Sequence, residues 1–152
     1  MSPHLGTHAD APAHVLSGGD AIGRVSLAAF IGPARVVDLA GPGEVGPDSL
    51  PKRSLGVPRV LFRTWGKASL SPLAALRLAE RGAILVGTDA LSIDAEDAED
   101  LPAHRMLLAR GVMLLEGLSL RNVEPGDYEL VALPLRLMKL DASPLRAVLV
   151  RR

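Results

Sequence analysis

The sequence predicts an α/β fold with a mixed sheet and flanking helices. Three observations carry that expectation: short β-branched and leucine-rich runs recur along the chain, several of them are apolar on both faces, and segments with helical periodicity lie between them. With 152 residues, 48% of them hydrophobic, there is enough chain for one sizeable core, so residues 1–152 are expected to form a single domain.

The opening stretch, residues 4–14 (HLGTHADAPAH), is expected to be extended or looped, because Gly6 and Pro12 both oppose a helix. A short helix is expected over residues 25–30, followed by a strand over 34–39 (ARVVDL). Residues 41–51 (GPGEVGPDSLP) read as loop, since Gly and Pro deny both helix and ladder their backbone donors. Residues 59–64 (RVLFRT) form the next strand. Ser71 followed by Pro72 is an N-cap with proline at the first helical position. Leu73, Leu76 and Ala79 mark an apolar stripe opposite Arg77 and Arg81, and Gly82 is the stop. Residues 83–88 (AILVGT) return as a strand. A second helix is expected over 101–110, ended by Gly111, and strands follow over 112–115, 128–135 and 146–150.

Composition narrows the function classes. Seventeen basic residues balance seventeen acidic ones, and no Lys or Arg run supplies the positive stripe that nucleic acid or an anionic membrane requires. A small-molecule partner fits that surface better. The absence of cysteine excludes thiolate chemistry, so a metal here must be bound by nitrogen and oxygen. No basic segment leads into an apolar one at the start, and no run approaches the roughly eighteen apolar residues of a membrane span. The cytoplasm is the expected location. No glycine-rich phosphate fingerprint occurs, which argues against a nucleotide.

Against that background, residues 4–14 gather three of the four histidines and an aspartate. His4, His8, Asp10 and His14 all occupy even positions, so an extended chain would direct them to one face, whereas a helix would separate them. Neutral imidazole and carboxylate are ligands that zinc, manganese or iron accepts when thiolates are missing. The alternative is a set of surface histidines. His104 lies near the start of the second expected helix, and Glu116 follows within the apolar run VMLLEGL. A carboxylate there requires compensation, either by a cation and hydrogen bonds or by an ion pair with Arg105 or Arg110. Asp89, Ser92 and Asp94 (GTDALSID) fit two readings, support of the metal ligands by hydrogen bonding or an ordinary capped turn. Trp65 would line a pocket or fill core or interface.

HLGTHADAPAH resembles the HxGTHxDxPxH signature of the metal-dependent cyclase family. IGPARVVDL, VLFRTW, LVGTDALSID, the His104-to-Glu116 interval, LLEGLSLRNVEPGDYELVALPLRL and LDASPLRAVL resemble the text of its kynurenine formamidase branch, in the same order. The resemblance implies the swivelling β/β/α-type cyclase fold and a homodimer. It also implies a two-metal hydrolase, with zinc the usual ion and manganese the other candidate, that cleaves the aryl formamide N-formyl-L-kynurenine to L-kynurenine and formate. By the same resemblance His4 and His8 would bind one metal and His104 the other. Asp10 and Glu116 would be carboxylates shared by both, and His14 the catalytic acid/base. A shared carboxylate is a natural way to hold two cations about 3.5–4 Å apart.

Relative to that family the first ligand lies close to Met1, so the chain is expected to lack the opening strands and part of the pocket wall. The stretch between Trp65 and Ser71 is also shorter. Three functions are consistent with this reading: an active formamidase, another amide or lactone hydrolase of the family, or a shortened metal-binding remnant without turnover.

Overall fold

The computed structural model describes residues 2–39 and 41–151. Its centre is an eight-stranded mixed sheet. Four parallel strands form the middle: β2 (Ile31–Asp38), β4 (Arg59–Arg63), β6 (Leu85–Thr88) and β7 (Met113–Glu116). On one side β8 (Gly126–Val131) and β10 (Val148–Arg151) continue the sheet antiparallel from β2. On the other, β1 (His8–Asp10) lies antiparallel between β7 and β9 (Ala142–Pro144). Every residue of β6 and β7 is buried, as runs without alternation require of central strands.

Two helices connect parallel neighbours and pack on each other: α1 (Pro72–Glu80) between β4 and β6, and α2 (Pro102–Leu108) between β6 and β7. The Ser71 side chain accepts from the Ala74 amide at 3.1 Å, and Gly82 follows α1 with φ +91, so both ends are set as the sequence indicates. The buried face is different from the expected stripe. Ala74, Ala75 and Leu78 are buried, while Leu73 is 59% exposed. The buried face thus carries two small alanines beside Leu78, and α1 packs against α2.

Other expectations shift for local reasons. Residues 25–30 form no α-helix; two 3-10 turns, Ile22–Arg24 and Leu27–Ala29, cover this region. The expected loop at 41–51 contains β3 (Gly43–Val45), which pairs in parallel with β5 (Ala68–Leu70) as a separate two-stranded sheet. Three-residue strands are too short for alternation to be legible, and β9 escaped notice for the same reason. β8 begins at Gly126 and ends at Val131, three residues before Pro134, which has no amide to donate.

The opening segment is extended only through β1. Gly6 turns the chain ahead of it at φ +68, and Pro12–His14 is a 3-10 turn behind it. Even spacing therefore aligns His8 and Asp10, while turns bring in His4 and His14. The turn before β1 is seated against the end of β7. Gly117 adopts φ +62, and a Cβ there would lie 2.6 Å from the Gly6 carbonyl oxygen. The Thr7 hydroxyl donates to the Gly117 carbonyl at 2.7 Å.

Gly117→Ala should therefore cost about 1–3 kcal/mol of stability, the usual scale of overpacking. Chemical denaturation measures this. A stability equal to that of the parent protein would refute the close backbone contact.

Candidate metal centre

β1 and β7 bring the first three side chains together. His8 lies directly across the ladder from Glu116, and Asp10 is two residues along, on the same face as His8. The His8 Nδ1–H donates to the Gly6 carbonyl at 2.9 Å. Its Nε2 lies 3.5 Å from Asp10 Oδ1 and 3.5 Å from Glu116 Oε2. Glu116 Oε1 accepts from the Ile93 amide at 2.7 Å and lies 3.2 Å from His104 Nε2. Arg105 and Arg110 contact backbone carbonyls elsewhere, so the arginine partner expected as one alternative for Glu116 is not formed.

His104 enters from α2 and is 2% exposed. It is held by Asp94, whose carboxylate accepts from the Ala103 amide at 2.7 Å, the His104 amide at 3.0 Å and His104 Nδ1 at 2.6 Å. Asp94 thus caps α2, where Leu101 offers no side chain, and holds the ring of His104. Ser92 accepts from the Asp94 amide at 3.2 Å. Asp89 instead accepts from the Thr64 and Trp65 amides. Trp65 is 53% exposed, with the Arg63 guanidinium 4.9 Å from its ring centroid, so it is not core.

His4 and His14 close the cluster from the turns. His4 Nδ1 is 3.0 Å from Asp10 Oδ1, and the His14 ring lies 4.4 Å from that of His4 and 5.5 Å from that of His104, between centroids. Both meet a residue that the sequence reading did not select. Asp141 Oδ2 is 3.1 Å from His4 Nε2 and 3.0 Å from His14 Nδ1. Its only signal was position, since it immediately precedes the short β9 within the LDASP text.

Asp10 is the anomaly. It is 0% exposed, and neither oxygen receives a hydrogen bond of acceptable geometry, although imidazole nitrogens of His4, His8 and His104 lie within 3.5 Å. A buried carboxylate left without donors is costly, on the order of several kcal/mol. A cation removes that cost. His4, His8 and Asp10 form one group with ligand atoms close enough to hold a metal ion, and Asp10, His104 and Glu116 form another; His4, His14 and Asp141 form a third. The donors are all nitrogen and oxygen, a set suited to zinc, manganese or iron.

Without a cation, protons must balance the carboxylates. His4 beside Asp10 has its pKa pushed up to about 9, with Asp141 adding to the effect against burial. Burial opposes the charge of His104, but Asp10, Asp94 and Glu116 outweigh it and raise the group to about 11. Burial likewise opposes ionisation of Asp10 and Glu116, and the surrounding histidines overcome it and hold both carboxyls below their usual range.

Residues 1–95 match the model of the Cyclase family, described as "Putative cyclase". The chain belongs to the cyclase family. It is 46% identical to a kynurenine formamidase of Salinibacter ruber, over 98% of this chain and 76% of that protein. It superposes on a solved protein described as a potential metal-dependent hydrolase with cyclase activity, with TM-score 0.89 and 34% identity over 100% of this chain and 81% of the other. Isatin hydrolase A from Labrenzia aggregata, solved with benzyl benzoate, matches with TM-score 0.84 and 28% identity, covering 100% and 75% of the two chains. This cyclase-family chain therefore shares fold and sequence with hydrolases.

The raised histidines set the pH response of the metal-free protein. A group whose pKa is higher folded than unfolded stabilises fully below its unfolded value, here 6.5, and loses that contribution as pH rises through its folded value. The melting temperature of metal-free protein should fall from about pH 6.5 through 9 and continue to fall towards 11. Thermal unfolding across that window checks this, and a rise would contradict the charge balance.

Proposed function

We propose that this protein is a metal-dependent formamidase that hydrolyses N-formyl-L-kynurenine to L-kynurenine and formate. The observation that carries the reading is the buried Asp10 carboxylate, without a well-aligned hydrogen bond among the described residues and shared by two ligand groups, in a chain 46% identical to a kynurenine formamidase. Two divalent cations, zinc with manganese as the other candidate, would occupy the cluster. His4 and His8 would hold one and His104 the other, with Asp10 and Glu116 reaching both. Such cations, when bound, polarise a carbonyl oxygen and acidify water towards neutrality.

The chain's own residues do the rest. Contacts from Gly6 and Asp94 to the Nδ1 atoms of His8 and His104 leave each Nε2 facing the carboxylates as a ligand atom. Asp10 and Glu116 supply buried negative charge. His14 is less buried, with its side chain 22% exposed, which suits a group that exchanges protons with substrate. It takes the proton released as water adds to the formyl carbon, and returns one to the aniline nitrogen as the C–N bond breaks. The hydroxyl oxygen leaves in formate.

Within this proposal the protein acts on a small molecule, as a single-domain cytoplasmic homodimer. Support for the homodimer comes from the sequence resemblance alone, and the location is the expectation drawn from the sequence pattern; among the described residues, no helix is long and apolar enough to cross a membrane. The isatin hydrolase likeness favours a second reading, opening of an aryl lactam, because that substrate class also carries its amide nitrogen on an aromatic ring.

Metal quantification coupled to parallel hydrolysis assays with N-formylkynurenine and isatin separates these readings. Two metals per chain with preferential formate release is the expected result; preference for isatin favours the second, and metal without turnover of either sinks both. His14→Ala should retain metal and lose at least about a hundredfold in rate, the low end of acid/base contributions. Asp10→Ala or Glu116→Ala should empty at least one metal position, and two metals retained by either variant would refute the shared-carboxylate scheme.

A further inference from the structure

We infer that Asp141 is a positioning residue, which through one carboxylate oxygen holds His4 and His14 in defined tautomers and thereby sets the proton-moving imidazole beside a metal-holding one. The inference rests on the function proposed above and assigns a role to a residue outside its ligand and acid/base set.

The geometry is restrictive. Asp141 Oδ2 lies 3.1 Å from His4 Nε2 and 3.0 Å from His14 Nδ1. A carboxylate only accepts, so both nitrogens carry hydrogen. For His14 this leaves Nε2 as the atom that can take up a proton. Among the described residues Asp141 is the sole hydrogen-bond partner of the His14 ring, which otherwise meets only the rings of His4 and His104, so its tautomer is set by this one contact. For His4, hydrogen on Nε2 frees Nδ1, which lies 3.0 Å from Asp10 Oδ1. A lone pair and a carboxylate oxygen at that distance require a proton or a cation between them.

Position is set by the ladder. Asp141 directly precedes β9, where Ala142 pairs with Asp10, and its carbonyl accepts from the Ala11 amide at 2.8 Å. The segment bearing the carboxylate is thus tied to the strand bearing Asp10. A shared acceptor also accounts for the proximity of the two rings, 4.4 Å apart and tilted by 39°.

Long-range proton–nitrogen NMR of the zinc-loaded protein reads the tautomers directly. His14 is expected as the Nδ1–H form. The Nε2–H form in the parent protein would overturn the inference whatever any variant does. In Asp141→Asn, the His14 signals should shift to mixed tautomers. Zinc affinity, measured by chelator competition, should fall about 10- to 100-fold, the range seen when carboxylates supporting ligand histidines are lost.

At saturating zinc, Asp141→Asn should lower kcat at least tenfold with KM nearly unchanged. That loss should vanish in the His14→Ala background, because a group acting through His14 has nothing left to position. Unaltered His14 tautomer and zinc affinity in Asp141→Asn would overturn the inference, as would a kcat loss that persists without His14. Tautomer and affinity need no turnover, so an inactive parent protein would defeat the formamidase reading while leaving this one testable.

Discussion

An unsatisfied carboxylate organises this protein. Asp10 is wholly enclosed, receives no well-aligned hydrogen bond among the described residues, and stands among three imidazoles and a second carboxylate. The arrangement is tolerable only with positive charge inside it, from protons on the histidines or from divalent cations. Protonated, the histidines cannot serve as ligands; loaded with metal, they need not be charged. Folding and metal affinity are therefore two readouts of one electrostatic problem.

The sheet is what keeps the carboxylate enclosed. β1 contributes only three residues, yet it is paired on both sides, with Ala9 against Leu115 on one and Ser143 on the other. Asp94, from the segment after β6, accepts from the first amides of α2 with both oxygens and holds the ring of His104 with one of them, Oδ2. The cluster is thereby assembled from parts that share supports, and a single change at Asp94 would disturb both the helix start and the His104 ring.

Much of this was legible in the sequence. Strands of fully buried β-branched and leucine residues, the Ser71-Pro72 start of α1 and the ligand-type residues all declared themselves through local chemistry. What was illegible depends on tertiary proximity. Even spacing aligned only His8 and Asp10, because Gly6 and Pro12 bend the chain on either side. The α1 stripe was misread because the face buried by tertiary packing carries Ala74 and Ala75 with Leu78, leaving Leu73 outside. Asp141 carries no pattern of its own and acquires meaning only when β9 pairs with β1.

The pairing of β1 with β7 and β9 also fixes an order of events during synthesis. His8 and Asp10 leave the ribosome well ahead of their ladder partners Leu114, Glu116, Ala142 and Pro144, which lie far along the chain from them. Such distant pairing pays loop-closure entropy before any contact rewards it. The nascent chain must therefore carry its acid and imidazoles unpaired until β7 and β9 have emerged, and cation capture must wait for that pairing.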